Sequence, residues 1–91
     1  EVLHMRWPRL FRRDAGEQVM EVEGVIQDLR VVQVDGRDYW AFHLDSRADV
    51  EFWFEVSALT KPRRVGERVR VAYRSDGTPG RLTAGWIVSA V

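Results

Sequence analysis

Few side chains in this 91-residue sequence are equipped for covalent chemistry. There is no cysteine, which excludes a disulfide framework and a thiolate metal site alike. His4 lies ahead of Met5 in a stretch, Glu1 to His4, that reads as a cloning remnant. His43 is then a lone histidine on a strand-like run, and no Ser/His/Asp relay can be assembled around it. Asp45 and Asp49 flank a turn but lack the alternating oxygen ligands and central glycine of a calcium loop. No glycine motif is of the phosphate-cradling kind. The sequence therefore predicts no catalysis, no metal and no cofactor, and what it leaves is binding chemistry. Tyr39, Trp53 and His43 offer rings on which bases can stack, at about 1 to 3 kcal/mol per base. Lys61, Arg63 and Arg64 offer cations for phosphates, with no obvious acidic neighbour in the loop.

The elements that must position these groups are strands. Tyr39 to Leu44 and Val50 to Val56 alternate at the strand period of two, and a polar break from Asp45 to Asp49 joins them into a hairpin. Trp40, Phe42 and Leu44 share one side of the first arm, and Val50, Phe52, Phe54 and Val56 share one side of the second, so the two rows can bury together. Tyr39, Ala41 and His43, with Glu51, Trp53 and Glu55, are left facing outward. The two glutamates oppose an incoming phosphate. Trp53 packing under the N-terminal segment, against Trp7 or Phe11, is the structural alternative to a stacking platform.

Before the hairpin, Gln18 to Val34 is predicted as one long strand with Met20, Val22, Gly24 and Ile26 on the buried side. Gly24 marks a sharp bend or the close approach of another backbone. Asp35-Gly36 is a tight hairpin turn. After the hairpin, Ser57 to Thr60 can make one turn before Pro62. Arg68 to Arg74 then puts Val69, Val71 and Tyr73 inside, and Arg81 to Ala90 puts Leu82, Ala84, Trp86 and Val88 inside. Five strands, no long helix and no repeat make an all-β chain of one domain, residues 17–91, preceded by a basic arm at 5–16. Within that arm Pro8 to Arg13 can form a helical turn with Trp7, Leu10 and Phe11 as its apolar side.

Charge is balanced overall, with 14 basic and 14 acidic groups, but not along the chain. Residues 14–55 carry three basic against eleven acidic side chains, and residues 56–91 carry seven against two. Such asymmetry fits a nucleic-acid face, and equally fits acidic and basic strands lying side by side. Cross-strand pairing with Glu21 and Glu23 accounts for Arg68 and Arg70 without a ligand. No apolar run approaches the roughly 18 residues of a membrane span, and no signal-peptide core is present. A cytoplasmic location is therefore expected, and a membrane partner is not.

Three stretches give the chain a family look: Val22-Glu23-Gly24-Val25-Ile26 as a glycine-bent first strand, Tyr39 to Asp45 ending in Leu-Asp, and Val65-Gly66-Glu67-Arg68-Val69-Arg70-Val71 entering the fourth strand. In these it resembles the OB-fold, the five-stranded oligonucleotide/oligosaccharide-binding barrel, over about residues 18 to 90. Many members carry a helix between strands three and four where this chain has a turn, so an SH3-like small barrel is the alternative. The resemblance implies a ligand across the outer face of strands two and three. Weak binding of single-stranded DNA or RNA through Tyr39, His43, Trp53, Lys61, Arg63 and Arg64 is then the expected function. A protein-interaction or assembly role for the acidic and aromatic face is the alternative.

Overall fold

In a computed structural model, residues 19–75 and 77–90 are described. The expected cloning remnant, the basic arm and any packing of Trp7 or Phe11 lie outside the described residues. Five strands make up the domain: β1 (Met20–Val34), β2 (Arg37–Leu44), β3 (Arg47–Glu55), β4 (Arg68–Ser75) and β5 (Arg81–Ser89). They form one sheet that closes in a ring in the order β1-β2-β3-β5-β4, antiparallel throughout except where β3 meets β5. Among the described residues no helix is long and apolar enough to cross a membrane.

Closure depends on β1 serving two neighbours. Its first half, Met20 to Val25, pairs with β4, and the stretch from Ile26 to Val34 pairs with β2, with an irregularity between Ile26 and Asp28 at the changeover. Gly24 sits just before that bend. A side chain there would meet the Ser46 hydroxyl, and a Cβ would lie 2.9 Å from the Asp45 carboxylate and 3.1 Å from Leu44 Cβ. It is therefore the close approach of the β2–β3 turn that excludes a side chain at this position. The Asp35-Gly36 turn takes positive φ at both residues, 52° and 77°, as the right-handed twist of a two-residue hairpin requires.

The core is the alternating row that the sequence predicts, except that Met20, expected on the buried side at the start of β1, is 53% exposed. Ile26, Phe42, Leu44, Phe52, Val69 and Val71 are fully buried. Phe42 stacks on Phe52 at 5.5 Å between ring centroids, and Tyr73 meets Phe52 edge-on at 5.6 Å. Each such side chain contributes about 1.5 to 3 kcal/mol by burial, and aromatic pairing adds roughly 0.5 to 1.5 kcal/mol.

Two expectations are corrected. The break between β2 and β3 is a two-residue turn, Asp45-Ser46, and β3 already begins at Arg47, where Arg47 grips Asp49 at 3.0 Å. The polar composition of 45–49 hides a strand whose ladder is irregular, because the register shifts between Phe42 and Leu44. On β5 the pairing with β4 shifts between Ala72 and Tyr73, skipping Gly85. That bulge inverts the parity of the residues after it. Ile87 joins the core, whereas Trp86 lies on the outer side against buried Ala72 and Val88 follows it out.

Candidate functional site

Across the outside of the sheet, register aligns Arg30 on β1 with Ala41 on β2, Trp53 on β3 and Thr83 on β5. The smallest residue stands in the middle. Ala41 is 1% exposed although it faces outward, so its longer neighbours close over it. Trp53 tilts against Tyr39 with ring centroids 5.6 Å apart, and the Arg81 guanidinium lies over the Trp53 ring at 4.6 Å. The indole N–H of Trp53 donates to Glu51 Oε1 at 2.9 Å, and Arg30 reaches the Glu51 carboxylate with Nη2 at 3.0 Å and Nε at 3.3 Å. Farther along, Arg37 pairs with Glu55 at 3.7 Å.

These contacts set the electrostatics of the face. Partial burial pushes the Glu51 carboxyl up, but the hydrogen bonds from Trp53 and Arg30 outweigh it and hold the group below the ordinary glutamate range. His43 lies two residues beyond Ala41 on the same side, its Nδ1 at 2.9 Å from Asp28 Oδ1, while its backbone N–H donates to the same oxygen. That bond holds Asp28 below the usual aspartate range, against a smaller upward push from desolvation. Three acidic groups, Asp28, Glu51 and Glu55, thus each meet a basic or imidazole partner on this face. The repulsion expected of Glu51 and Glu55 toward a phosphate is largely compensated within the sheet.

The predicted site residues do not all come together. Tyr39 and Trp53 touch, and His43 shares their face. Lys61 lies instead at the end of the barrel, lining a groove with Trp40 and Phe54, and Arg64 lines a shallow depression with Pro62 and Gly66. Arg63 corrects the expectation that the loop has no acidic neighbour. Its side chain is 7% exposed, its Nη1 meets Glu67 at 2.6 Å and its Nη2 donates to the carbonyl of Ile87 at 3.0 Å. It ties the β3–β4 connection to β5. Arg68 and Arg70 pair with Glu23 across the β1–β4 ladder, as the ligand-free explanation expects.

Arg30 and Arg81 are the site members that sequence reasoning missed. Alternation puts Arg81 on the outer side, but it would bury Arg30 with Val22 and Ile26; the irregularity between Ile26 and Asp28 turns Arg30 outward, and the approach of both to Glu51 and Trp53 depends on which strands are neighbours. No family model, curated protein or solved structure matches this chain. The geometry of the face is therefore what bears on its role.

Proposed function

We propose that this chain is an OB-type barrel that acts as a non-catalytic binding module, taking single-stranded nucleic acid weakly across the outer face of β2 and β3. The Tyr39–Trp53–Arg81 stack is the observation that carries this reading. An aromatic pair topped by a guanidinium plane offers both a stacking surface and a positive charge to a base and its phosphate. Pairing of Glu51 with Arg30 and of Glu55 with Arg37 lowers the opposing repulsion. His43 extends the face, and exposed Lys61 and Arg64 supply phosphate contacts farther along the strand. Arg63 is assigned to the fold. A first strand shared between β2 and β4, and a ring closed by β3 against β5, support the OB type over an SH3-like barrel. A cysteine-free chain suits a cytoplasmic setting.

One observation favours a protein partner instead. Asp28, Glu51 and Glu55 balance Arg30, Arg37 and Arg81, so the face has no net charge to attract a polyanion. Salt separates the two. Fluorescence anisotropy of a labelled mixed-sequence oligonucleotide at about 20 mM salt, where phosphate contacts are strongest, should show saturable binding that fades as salt rises. Trp53→Ala should weaken it roughly 5- to 150-fold, the equivalent of one lost stacking contact of about 1 to 3 kcal/mol. Absence of binding at low salt would refute the nucleic-acid reading and leave the protein partner.

A further inference from the structure

The β1–β2 ladder fixes which way each backbone group of β1 points. Val34 and Arg37 flank the two-residue Asp35-Gly36 turn, so they exchange both backbone hydrogen bonds, and alternation gives the same role to the Val32–Tyr39 and Arg30–Ala41 pairs. Leu29, Val31 and Gln33 then aim their N–H and carbonyl groups away from β2. On that side β4 pairs with β1 only from Met20 to Val25, and Gly66 and Glu67 bond to Ile26. Among the described residues, no strand is laid against Leu29, Val31 or Gln33 on the side away from β2. The side chains here are not those of a shielded edge. Val31 is 67% exposed and Val34 is 41% exposed, the inward positions Leu29, Val31 and Gln33 carry no charge, and neither lysine nor proline occurs from Gln27 to Val34.

We infer that this edge pairs with the same edge of a second copy of the chain, antiparallel about a twofold axis at Val31. Two features select a second copy over an extended peptide of another sequence. The first is hydrogen-bond register. With Val31 opposite the partner's Val31, Leu29 stands opposite the partner's Gln33 and Gln33 opposite the partner's Leu29, so every N–H and carbonyl aimed outward at these positions finds its counterpart. The second is charge. In this register Arg30 faces the partner's Val32 and Asp28 faces the partner's Val34, so no like charges stand directly opposed. Arg30 and the partner's Arg30 become diagonal neighbours, each drawn toward the Glu51 of its own chain at 3.0 Å. Neighbouring registers fit less well. An axis at Arg30 would oppose the two guanidinium groups, and one at Val32 would set Leu29 against the partner's Asp35, which lies in the turn. At the chosen axis the exposed Val31 meets the partner's Val31 and leaves solvent. The inference holds whatever the outer face binds.

Sedimentation of the full chain, followed from low micromolar to near-millimolar concentration, should show a monomer–dimer equilibrium, a weak one because a single short edge is a small interface. Val31→Lys places two ammonium groups at the axis and should raise the dissociation constant about tenfold or more. Val31→Pro removes an N–H that takes no part in the β1–β2 ladder and should act in the same direction. Leu59→Lys, at an exposed apolar side chain in the β3–β4 connection, should leave the constant unchanged. Amide exchange supplies the local readout. The amides of Leu29, Val31 and Gln33 should be protected at high concentration and exchange about tenfold or more faster on dilution, while amides within the β2–β3 ladder stay protected and report that each variant is folded. A chain that stays monomeric throughout would overturn the proposal. Association that ignores both Val31 substitutions in folded variants would do the same. So would protection of the three amides that does not depend on concentration, which would give this edge to another part of the same chain.

Discussion

Replacing Gly24 by alanine adds one methyl group where β1 passes beneath the Asp45-Ser46 turn. Three hydrogen bonds pin that turn to β1: Val25 N–H to Asp45 Oδ1 at 2.9 Å, Asp45 N–H to the Val25 carbonyl at 3.0 Å, and Ser46 Oγ to the Glu23 carbonyl at 2.6 Å. The new Cβ would clash with the Ser46 hydroxyl and stand only 2.9 Å from Asp45 Oδ1. Both side chains must move, and both are held by their bonds to β1. Overpacking of this kind costs about 1 to 3 kcal/mol, and weakening two side-chain hydrogen bonds adds roughly 0.5 to 1.5 kcal/mol each. The smaller conformational freedom of unfolded alanine returns only about 0.4 to 1 kcal/mol. The net loss should be about 2 to 4 kcal/mol, a large part of the roughly 5 to 15 kcal/mol that holds a domain folded. In urea, with a slope of about 1 kcal/mol/M for a small domain, the unfolding midpoint should fall by about 2 to 4 M. Gly36→Ala is the control, because its φ of 77° resists a side chain but nothing lies within 4 Å. It should cost only about 1 to 2 kcal/mol. Adding Ser46→Gly should recover part of the Gly24→Ala loss, with a coupling of roughly 0.5 to 3 kcal/mol. A loss at Gly24 below about 0.5 kcal/mol, or no coupling to Ser46, would refute the assignment of this glycine to the passing turn.

Other contacts carry outcomes of their own. Glu67→Gln removes the carboxylate from largely buried Arg63 and should destabilise the domain by about 2 kcal/mol, less than the roughly 3 to 5 kcal/mol of a fully buried pair because Glu67 is partly exposed; a neutral result in urea unfolding would return Arg63 to the ligand candidates. The carboxyl of Glu51 is held below its unfolded value, so its contribution is present above the ordinary glutamate value of 4.5 and is lost as pH falls through the lowered folded value. Glu51→Gln should therefore flatten the acid limb of the stability curve, and an unchanged limb would deny the Trp53–Glu51–Arg30 linkage. Arg81→Ala should leave stability almost unchanged but expose the Trp53 ring, raising acrylamide quenching of its fluorescence; unaltered quenching would mean that the guanidinium does not cover the indole.

The rows Phe42-Leu44 and Phe52-Phe54, the Asp35-Gly36 turn, the crowded site at Gly24 and the Val69-Val71-Tyr73 row are all legible in the sequence. Each is a short-range property of a strand, fixed by alternation or by φ at one or two residues. Alternation misplaces Trp86 for the same reason that it finds the others, since it holds only until a bulge interrupts it. Gly85 gives a hint, but the hint acquires a location only when β5 is laid against β4. The candidate face divides in the same way: Tyr39, His43 and Trp53 are outward by parity, whereas Arg30 and Arg81 reach their partners from strands distant in sequence.

What the sequence alone determined was therefore the strands, their buried sides and the pool of aromatic and basic groups available for binding. The tertiary structure decided the ring closure through the parallel β3–β5 contact, the commitment of Arg63 to Glu67 and Ile87, the cover of Tyr39 and Arg81 on Trp53, and the groove beside Trp40 and Phe54. The division has a physical cause. Burial preference is written residue by residue along a strand, while an ion pair, a ring contact or a groove depends on which strands become neighbours and at what register, a choice made by the packing of the whole core.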